Sequence, residues 1–182
     1  MTEEIALTED QIILRCQAGD REAFRTLVEK YQNMLYGTAY LMTGNRMVAE
    51  DQVQETFLSV WKSIGTFHSG RPLKPWLVRI LVNKVLSYQR ANSKTMLSLD
   101  GDLVADPAGD DPLKGIEQRD QLQSVLRNLP SEQRQVVLLR YFAELSLTET
   151  ANALGRSQGT IKSQIHRALE QLKDLIEDDN GK

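Results

Sequence analysis

Apolar residues recur every three or four positions along most of this chain, which is the spacing of one face of an α-helix. Four such runs lie between residues 8 and 90, and four more lie between residues 116 and 179. No segment alternates apolar and polar residues for long enough to predict a strand. The pattern therefore predicts an all-α fold.

Helix start and stop signals divide the first half of the chain. Thr8 and Gln11 have the spacing of a capping box, and Asp20 is a typical N-cap residue. Gly44 can adopt the left-handed conformation that ends many helices, and residues 46–63 then resume the helical pattern. Three successive helices are expected up to residue 63.

Composition changes in the middle of the chain. Residues 91–115 are rich in Asp, Gly, Ser and Pro, and their few Leu and Val side chains are too sparse to form a core. A chain of 182 residues is long enough for one domain or for two small ones. We therefore predict two small helical domains, residues 1–92 and 112–182, joined by a flexible acidic linker at residues 93–111.

The second predicted domain contains a helix-turn-helix signature. Ser146 and Glu149 have capping-box spacing at the start of one helix, and Gly155 can supply the positive φ that ends it. Ser157 is a suitable N-cap for the next helix. Two helices joined by a glycine-containing turn are typical of proteins that place the second helix in the major groove of DNA.

The helix after Ser157 has an apolar stripe and a polar side. The stripe contains Ile161, Ile165, Ala168, Leu169 and Leu172. At about 100° per residue, the side chains pointing away from the stripe are Ser163, His166 and Arg167, with Lys162 on the flank. Small, hydrogen-bonding and basic groups suit a recognition helix. An ordinary helical hairpin with a solvated basic face stays open as the alternative.

Charge is distributed unevenly, although the net charge is only −3. Residues 71–94 contain six basic and no acidic side chains, whereas residues 100–120 contain seven acidic and two basic ones. The low net charge disfavours a protein that coats nucleic acid by electrostatics alone. The distribution predicts basic surfaces flanking an acidic connector, with a modest or masked intrinsic affinity for DNA.

Residues 65–74 form a predicted loop that mixes an aromatic side chain with basic ones. Phe67, His68 and Arg71 lie in this loop, and Pro75 is placed to open the next helix. Aromatic faces stack on unpaired bases and basic groups hold phosphates, so the mixture suits single-stranded nucleic acid. The alternative, that Phe67 plugs one end of the domain, is equally open.

Neither a membrane span nor a secretory signal is predicted. The chain has no apolar run of about 18 residues, and its first ten residues are acidic rather than signal-like. We therefore expect a cytoplasmic protein. The single cysteine, Cys16, lies in an apolar helical pattern and is expected to be a small buried residue.

No catalytic constellation emerges from the sequence. His68 and His166 lie in different predicted domains, no His or Cys pair has the spacing of metal ligands, and no phosphate-binding loop of the G-x-x-x-x-G-K-[ST] type is present. We therefore expect no enzyme active site, no metal and no cofactor.

Two ordered sets of motifs resemble the extracytoplasmic-function sigma factors, the smallest initiation factors of bacterial RNA polymerase. The residues that resemble region two of that family are GD (19–20), AF (23–24), MTGNR (42–46), AEDQVQETF (49–57), Trp61 and PWL (75–77) with Ile80 and Asn83. The residues that resemble region four are LP (129–130), EQR (132–134), LRYF (139–142), LS (145–146), LG (154–155) with Ser157, GTIKS (159–163) and RAL (167–169). The likeness covers nearly the whole chain.

The resemblance implies a transcription initiation factor that binds core RNA polymerase, directs it to promoters and helps to melt them. It implies that a face of residues 46–63 docks on the clamp of the polymerase β′ subunit through Asp51, Gln54, Glu55 and Leu58. From the residues alone, the same face could be merely solvated.

The resemblance also implies two DNA-binding surfaces. The −10 promoter element would be captured and melted by Phe67, His68, Arg71, Lys74, Arg79, Asn83 and Lys84. The −35 element would be read in the major groove by Arg140, Lys162, Ser163, His166 and Arg167. The implied partners are core RNA polymerase, through its β′ clamp and β flap, promoter DNA and an anti-sigma factor that is often membrane-anchored. No small-molecule substrate is implied. An autonomous helix-turn-helix regulator is the alternative function.

The chain departs from the family pattern at a few positions. Thr150 stands where an isoleucine is usual, which predicts a slightly looser core in the second domain. Gln164 stands where a basic residue is common, which predicts one phosphate contact fewer. Ser87 stands where many relatives have aspartate.

Overall fold

A computed structural model of the chain describes residues 7–96 and 116–180. Within these two ranges the structure is all-helical, as predicted. The α-helices are α1 (Glu9–Gln17), α2 (Arg21–Thr43), α3 (Arg46–Ser63), α4 (Leu73–Met96), α5 (Ile116–Arg127), α6 (Ser131–Val137), α7 (Leu147–Leu154) and α8 (Gln158–Asn180), with a 3₁₀ turn at Ile64–Thr66 and a π-helical turn at Leu138–Phe142. Most of the predicted linker lies outside the described residues, and its first four residues continue α4.

The predicted helix starts are confirmed by hydrogen bonds. The hydroxyl of Thr8 accepts from the amide of Gln11, whose side chain accepts from the amide of Thr8, at 3.3 and 2.9 Å. The carboxylate of Asp20 accepts from the first amides of α2. Helix α4 begins two residues before Pro75, which the sequence placed at its start. A proline is tolerated there because amides in the first turn have no intrahelical acceptor.

Helices α1 to α4 form the first lobe. Its largest fully buried side chains are Ile13, Leu27, Leu35, Leu41, Leu73, Leu77 and Leu81. Cys16 is 2% exposed, which confirms its predicted burial. Burial raises the pKa of its thiol, so this side chain stays protonated and packs as a small apolar group.

Helices α5 to α8 form the second lobe, in which α6 packs on α8. The sequence left open whether Tyr141 or Phe142 is buried; Phe142 packs against the core, whereas Tyr141 is 54% exposed. Leu169 is 45% exposed, so its placement in the apolar stripe of α8 was wrong. Its direction is about 70° from the stripe's centre, at the edge of the buried face.

The two lobes pack against each other. Helix α4 lies against α7, and α2 lies against α5 and the π-helical turn. Buried apolar residues of both lobes form one continuous cluster, to which Leu126, Leu129 and Leu139 belong. At the end of α2, Gly44 has φ +71°, and a Cβ there would lie 2.8 Å from the side-chain amide of Gln123. The lobes therefore approach each other closely at this position.

Across the described residues, every helix is too short or too polar to span a membrane.

Thr150 is fully buried in α7, and its hydroxyl has no hydrogen-bond partner. An unpaired buried hydroxyl destabilises the folded state by about 1–3 kcal/mol. The substitution Thr150→Val replaces the hydroxyl by a methyl group of similar size. We expect it to raise the free energy of unfolding by about 1 kcal/mol, measured by urea denaturation.

The matched control is Thr148→Val in the same helix, where the hydroxyl is exposed and accepts from Gln158. This control should leave stability unchanged or slightly lower. A Thr150→Val protein less stable than the parent would show that the hydroxyl has a partner in solution.

Candidate functional site

The outward side of α3 bears an exposed polar and apolar face. Asp51, Gln54, Glu55 and Leu58 are all exposed and lie opposite the buried side of the helix. We call these four residues the α3 surface. Sequence reasoning missed Met47, which is 65% exposed and one helical turn before Asp51, so that it extends the same face. The four-residue spacing between Met47 and Asp51 could have identified Met47 as part of this face.

One residue of the α3 surface contacts the neighbouring helix. The carboxylate of Glu55 lies 3.3 Å from the ammonium of Lys84 on α4. Both side chains are partly exposed, so the pair contributes at most about 1 kcal/mol to stability. The contact joins the α3 surface to the basic face of α4.

The basic loop and the start of α4 form a second surface. The loop surface contains Phe67, His68, Arg71, Lys74, Arg79, Asn83 and Lys84. The side chains of His68, Arg71, Arg79 and Asn83 are exposed. Lys74 and Lys84 are half-buried, and each pairs with a glutamate, Glu144 and Glu55 respectively.

Phe67 is buried in this conformation. It is 8% exposed, and its ring centre lies 5.0 Å from that of Trp76. Of the two alternatives that the sequence left open, the structure agrees with the second, in which Phe67 packs into one end of the first lobe. Stacking of this ring on a base would require the loop to rearrange.

Two residues of α1 hold the loop, and sequence reasoning missed both. The side-chain amide of Gln17 donates to the carbonyl oxygens of Ile64 and Phe67 at 3.0 and 2.8 Å. The carboxylate of Asp10 accepts from the amide of Gly70 at 3.1 Å. These three hydrogen bonds join positions 47 or more residues apart in the chain, so no local sequence pattern reports them.

Helix α1 is itself anchored to α2 through Glu9. The carboxylate of Glu9 accepts from the ammonium of Lys30 and the hydroxyl of Tyr31. Partial burial opposes ionisation of Glu9, but these hydrogen bonds outweigh it and lower its pKa. Burial, together with the hydrogen bond to Glu9, raises the pKa of Tyr31. The carboxylate is therefore ionised, and the phenol neutral, at physiological pH.

The helix-turn-helix has the local geometry that the sequence predicts. Ser146 and Glu149 form a reciprocal capping box at the start of α7. Gly155 ends that helix with φ 63°, which a residue with a Cβ adopts at a cost. The hydroxyl of Ser157 accepts from the amide of Thr160 at 3.1 Å, as its predicted N-cap role requires.

Four exposed side chains line the outer face of α8. The recognition surface consists of Lys162, Ser163, His166 and Arg167. His166 lies 3.6 Å from Glu170 one turn later, and its side chain is 76% exposed. The fifth predicted residue of this group, Arg140, is not on α8. Its guanidinium is half-buried and donates to the carbonyl oxygen of Leu145 at 2.8 Å.

A polar network connects α6 to α8. Gln164 is 8% exposed and donates to Glu132 at 2.9 Å, while Arg156 donates to Gln164 at 3.0 Å. Gln164 therefore faces the interior of the second lobe. The amide is engaged by Glu132 and Arg156, and the expectation of one phosphate contact fewer at this position stays a prediction.

The loop surface meets the second lobe across a cleft of about 380 Å³. One wall contains Phe67, Trp76 and Arg79, and the other contains Glu149, Asn152 and Ala153 of α7. Within the described ranges, no three His, Cys, Asp or Glu side chains are grouped so that they could hold a metal ion.

Family models describe both lobes. The sigma-70 region 2 model matches residues 27–95, and the sigma-70 region 4 model matches residues 119–172. The chain is 34% identical over 175 residues to the ECF RNA polymerase sigma factor BldN of Streptomyces coelicolor, covering 93% of this chain and 66% of that relative. It is 31% identical over 178 residues to the ECF RNA polymerase sigma factor SigW of Bacillus subtilis, and the match covers 91% of this chain and 95% of that relative.

Among solved structures, the chain is similar to the sigma factor RpoE of Bartonella quintana in complex with the anti-sigma factor NepR. The TM-score is 0.73 at 27% sequence identity, and the match covers 86% of this chain and 98% of that one.

Proposed function

Because the chain belongs to the extracytoplasmic-function sigma factors of bacterial RNA polymerase, we propose that its three surfaces divide the work of starting transcription. As a sigma factor it gives core polymerase its promoter specificity. The α3 surface docks on the clamp of the β′ subunit. The recognition surface, with Arg140 behind it, positions the complex on the −35 element. The loop surface captures and melts the −10 element.

The order of the two family matches is the observation that most strongly supports this function. Region 2 falls on the first lobe and region 4 on the second, each over the helices that bear the proposed surfaces. The helix-turn-helix presents polar and basic groups on α8, which suits a major groove. The loop surface combines basic groups with Phe67, whose ring packs on Trp76, and an aromatic ring beside basic groups suits unpaired bases once the loop opens.

The proposed partners follow from the same division of work. They are core RNA polymerase, contacted by the α3 surface and by the second lobe at the β flap, and promoter DNA. An anti-sigma factor is a further proposed partner, because the solved relative RpoE is in complex with one. A factor that acts with polymerase works in the cytoplasm and needs no active site of its own.

An autonomous helix-turn-helix regulator is not favoured. That function would use the second lobe alone, whereas the match to region 2 covers most of the first lobe. It would also assign no binding partner to the α3 surface.

Run-off transcription tests the proposal directly. Purified bacterial core polymerase is incubated with a genomic promoter library, with and without this protein. We expect discrete transcripts only when the protein is present, and their start sites should share two upstream elements. Silent reactions, together with a shift of duplex DNA by the protein alone as a dimer, would favour the regulator instead.

A further inference from the structure

Arg156 lies in the turn between the two helices of the helix-turn-helix. Its backbone amide donates to the carbonyl oxygen of Ala151 at 3.0 Å, at the end of α7. Its side chain is only 22% exposed and reaches Glu132 and Gln135 on α6. One residue of the turn therefore contacts α7 through its backbone and α6 through its guanidinium.

The guanidinium of Arg156 also reaches α8. One of its nitrogens donates to Gln164 of α8 at 3.0 Å, and another donates to Gln135 of α6 at 3.4 Å. The second nitrogen lies 3.5 Å from the carboxylate of Glu132, and this carboxylate accepts from Gln164 at 2.9 Å. The contacts of Arg156, Gln164 and Glu132 therefore close into a ring. We call Arg156, Gln164, Glu132 and Gln135 the α6–α8 network.

Two members of the α6–α8 network are almost completely buried. Gln135 is 7% exposed and Gln164 is 8% exposed. Buried side-chain amides are normally paired within the protein, and an unpaired one destabilises the arrangement that buries it. The guanidinium of Arg156 donates to both amide oxygens. Its loss would remove the donor that each of these oxygens has in the structure.

The α6–α8 network acts at the edge of α8 next to the recognition surface. At about 100° per residue, Gln164 lies about 60° from the buried Ile161 on one side and about 60° from Arg167 on the other. Side chains extend about 5–6 Å from a helix axis, so a rotation of α8 by about 10° moves the tip of an outer side chain by about 1 Å. Hydrogen bonds to Gln164 oppose such a rotation because they depend on distance and angle, whereas apolar burial is non-directional.

We propose that Arg156 is a positioning residue for promoter recognition, which sets the rotation of α8 through Gln164 and Glu132 and thereby the fit of the recognition surface to the bases. This inference rests on the proposed function for the identity of the DNA element. Arg156 acts on the bases only through the recognition surface and makes no DNA contact of its own.

The substitution Arg156→Gln tests this role by removing the cation from the α6–α8 network. The measured quantity is the ratio of holoenzyme affinities for a cognate promoter and for the same promoter with a scrambled −35 element. Phosphate contacts carry no sequence information, so they change both affinities alike and cancel in this ratio. We expect the ratio to fall about tenfold, the size of effect expected when one base contact is lost.

The affinities are measured with the full chain, core polymerase and a promoter identified by run-off transcription. Urea denaturation shows whether each variant is folded at the assay temperature. A merely structural role for Arg156 would lower the urea midpoint and leave the ratio of the folded variant unchanged. The matched control is Arg25→Gln, the same substitution at an exposed residue of α2, which should not change the ratio.

Glu132→Ala distinguishes positioning from a direct contact between Arg156 and DNA. The side chain of Glu132 is 68% exposed, so its removal leaves the core intact. If Arg156 positions α8, this variant should also lower the ratio, but by less than Arg156→Gln does, because Arg156 still bonds both glutamines. A guanidinium that contacted bases directly would instead be released from a competing carboxylate. An unchanged or higher ratio for Glu132→Ala would therefore overturn the proposal.

Moving the charge provides a rescue experiment. In the double variant Arg156→Gln/Gln164→Arg, the cation lies on α8 at a position whose side chain already lies 2.9 Å from the carboxylate of Glu132. An ion pair between α6 and α8 is thereby kept, and we expect the ratio to return to within about twofold of the parent. A ratio that stays low, with a salt slope steeper by about one, would show that the new arginine contacts phosphate and that positioning is wrong.

The outcomes separate this inference from the proposed function. A parent protein that starts no transcript, or whose holoenzyme does not distinguish the intact from the scrambled −35 element, would contradict the proposed function and this inference with it. If the parent discriminates and the folded Arg156→Gln variant keeps the same ratio, only the positioning role of Arg156 is contradicted.

Discussion

Replacing Glu55 by lysine is expected to abolish most promoter-directed transcription while the protein stays folded. Glu55 is exposed on α3, so the substitution disturbs no core packing. If this face meets the polymerase clamp, the reversed charge faces groups that had paired with a carboxylate. Like-charge contacts in an interface cost several kcal/mol, and a loss of about 2 kcal/mol already weakens binding about 30-fold.

The measurement is run-off transcription at limiting factor, together with the dissociation constant for core polymerase. Glu29→Lys is the control, since it makes the same charge change on an exposed part of α2.

Lys84→Ala distinguishes the contact of Glu55 with Lys84 from its proposed contact with polymerase. It removes the partner of Glu55 on α4 and leaves the α3 surface intact, so it should weaken DNA opening without weakening polymerase binding. Normal polymerase binding by Glu55→Lys would reject the α3 surface as the docking site.

Replacing His166 by alanine is expected to lower transcription from the cognate promoter by about 5- to 150-fold, the range that corresponds to 1–3 kcal/mol for loss of a base contact. His166 is exposed in the middle of the recognition surface, where its ring can reach base edges from α8. The loss should be specific to one position of the −35 element, at which the variant should accept other bases.

Lys162→Ala is the matched comparison on the same surface. A lysine on the flank of α8 is suited to a phosphate, so its loss should weaken binding similarly for all sequences and reduce the salt slope by about one. Binding to a library of −35 variants at several salt concentrations separates the two effects. A uniform loss for His166→Ala would show that its ring contacts the backbone rather than a base.

The sequence predicted the features that depend on neighbours along the chain. The capping boxes at Thr8 and Ser146 and the left-handed glycines at positions 44 and 155 are all present. Each requires only a donor, an acceptor or a missing Cβ within a few residues, and these are readable from sequence. The exposed face of α8 followed in the same way, because its direction is fixed by 100° steps along one helix.

Directions that depend on a partner helix were less predictable. Leu169 is exposed and Gln164 is buried, although both lie near the edge of the α8 stripe. Whether an edge position is covered depends on where α6 crosses, and Gln164 is covered because Arg156 and Glu132 satisfy its amide there. Periodicity gives the direction of a side chain and not the extent of the surface that meets it.

By itself, the sequence determined that the chain forms two helical lobes and where each helix presents its polar face, since both follow from local spacing. Only the tertiary structure decided how those faces meet. The hydrogen bonds of Gln17 to the loop and the packing of α7 against α4 both join residues far apart in the chain. Such contacts are selected by the packing of whole helices, and no short segment specifies them.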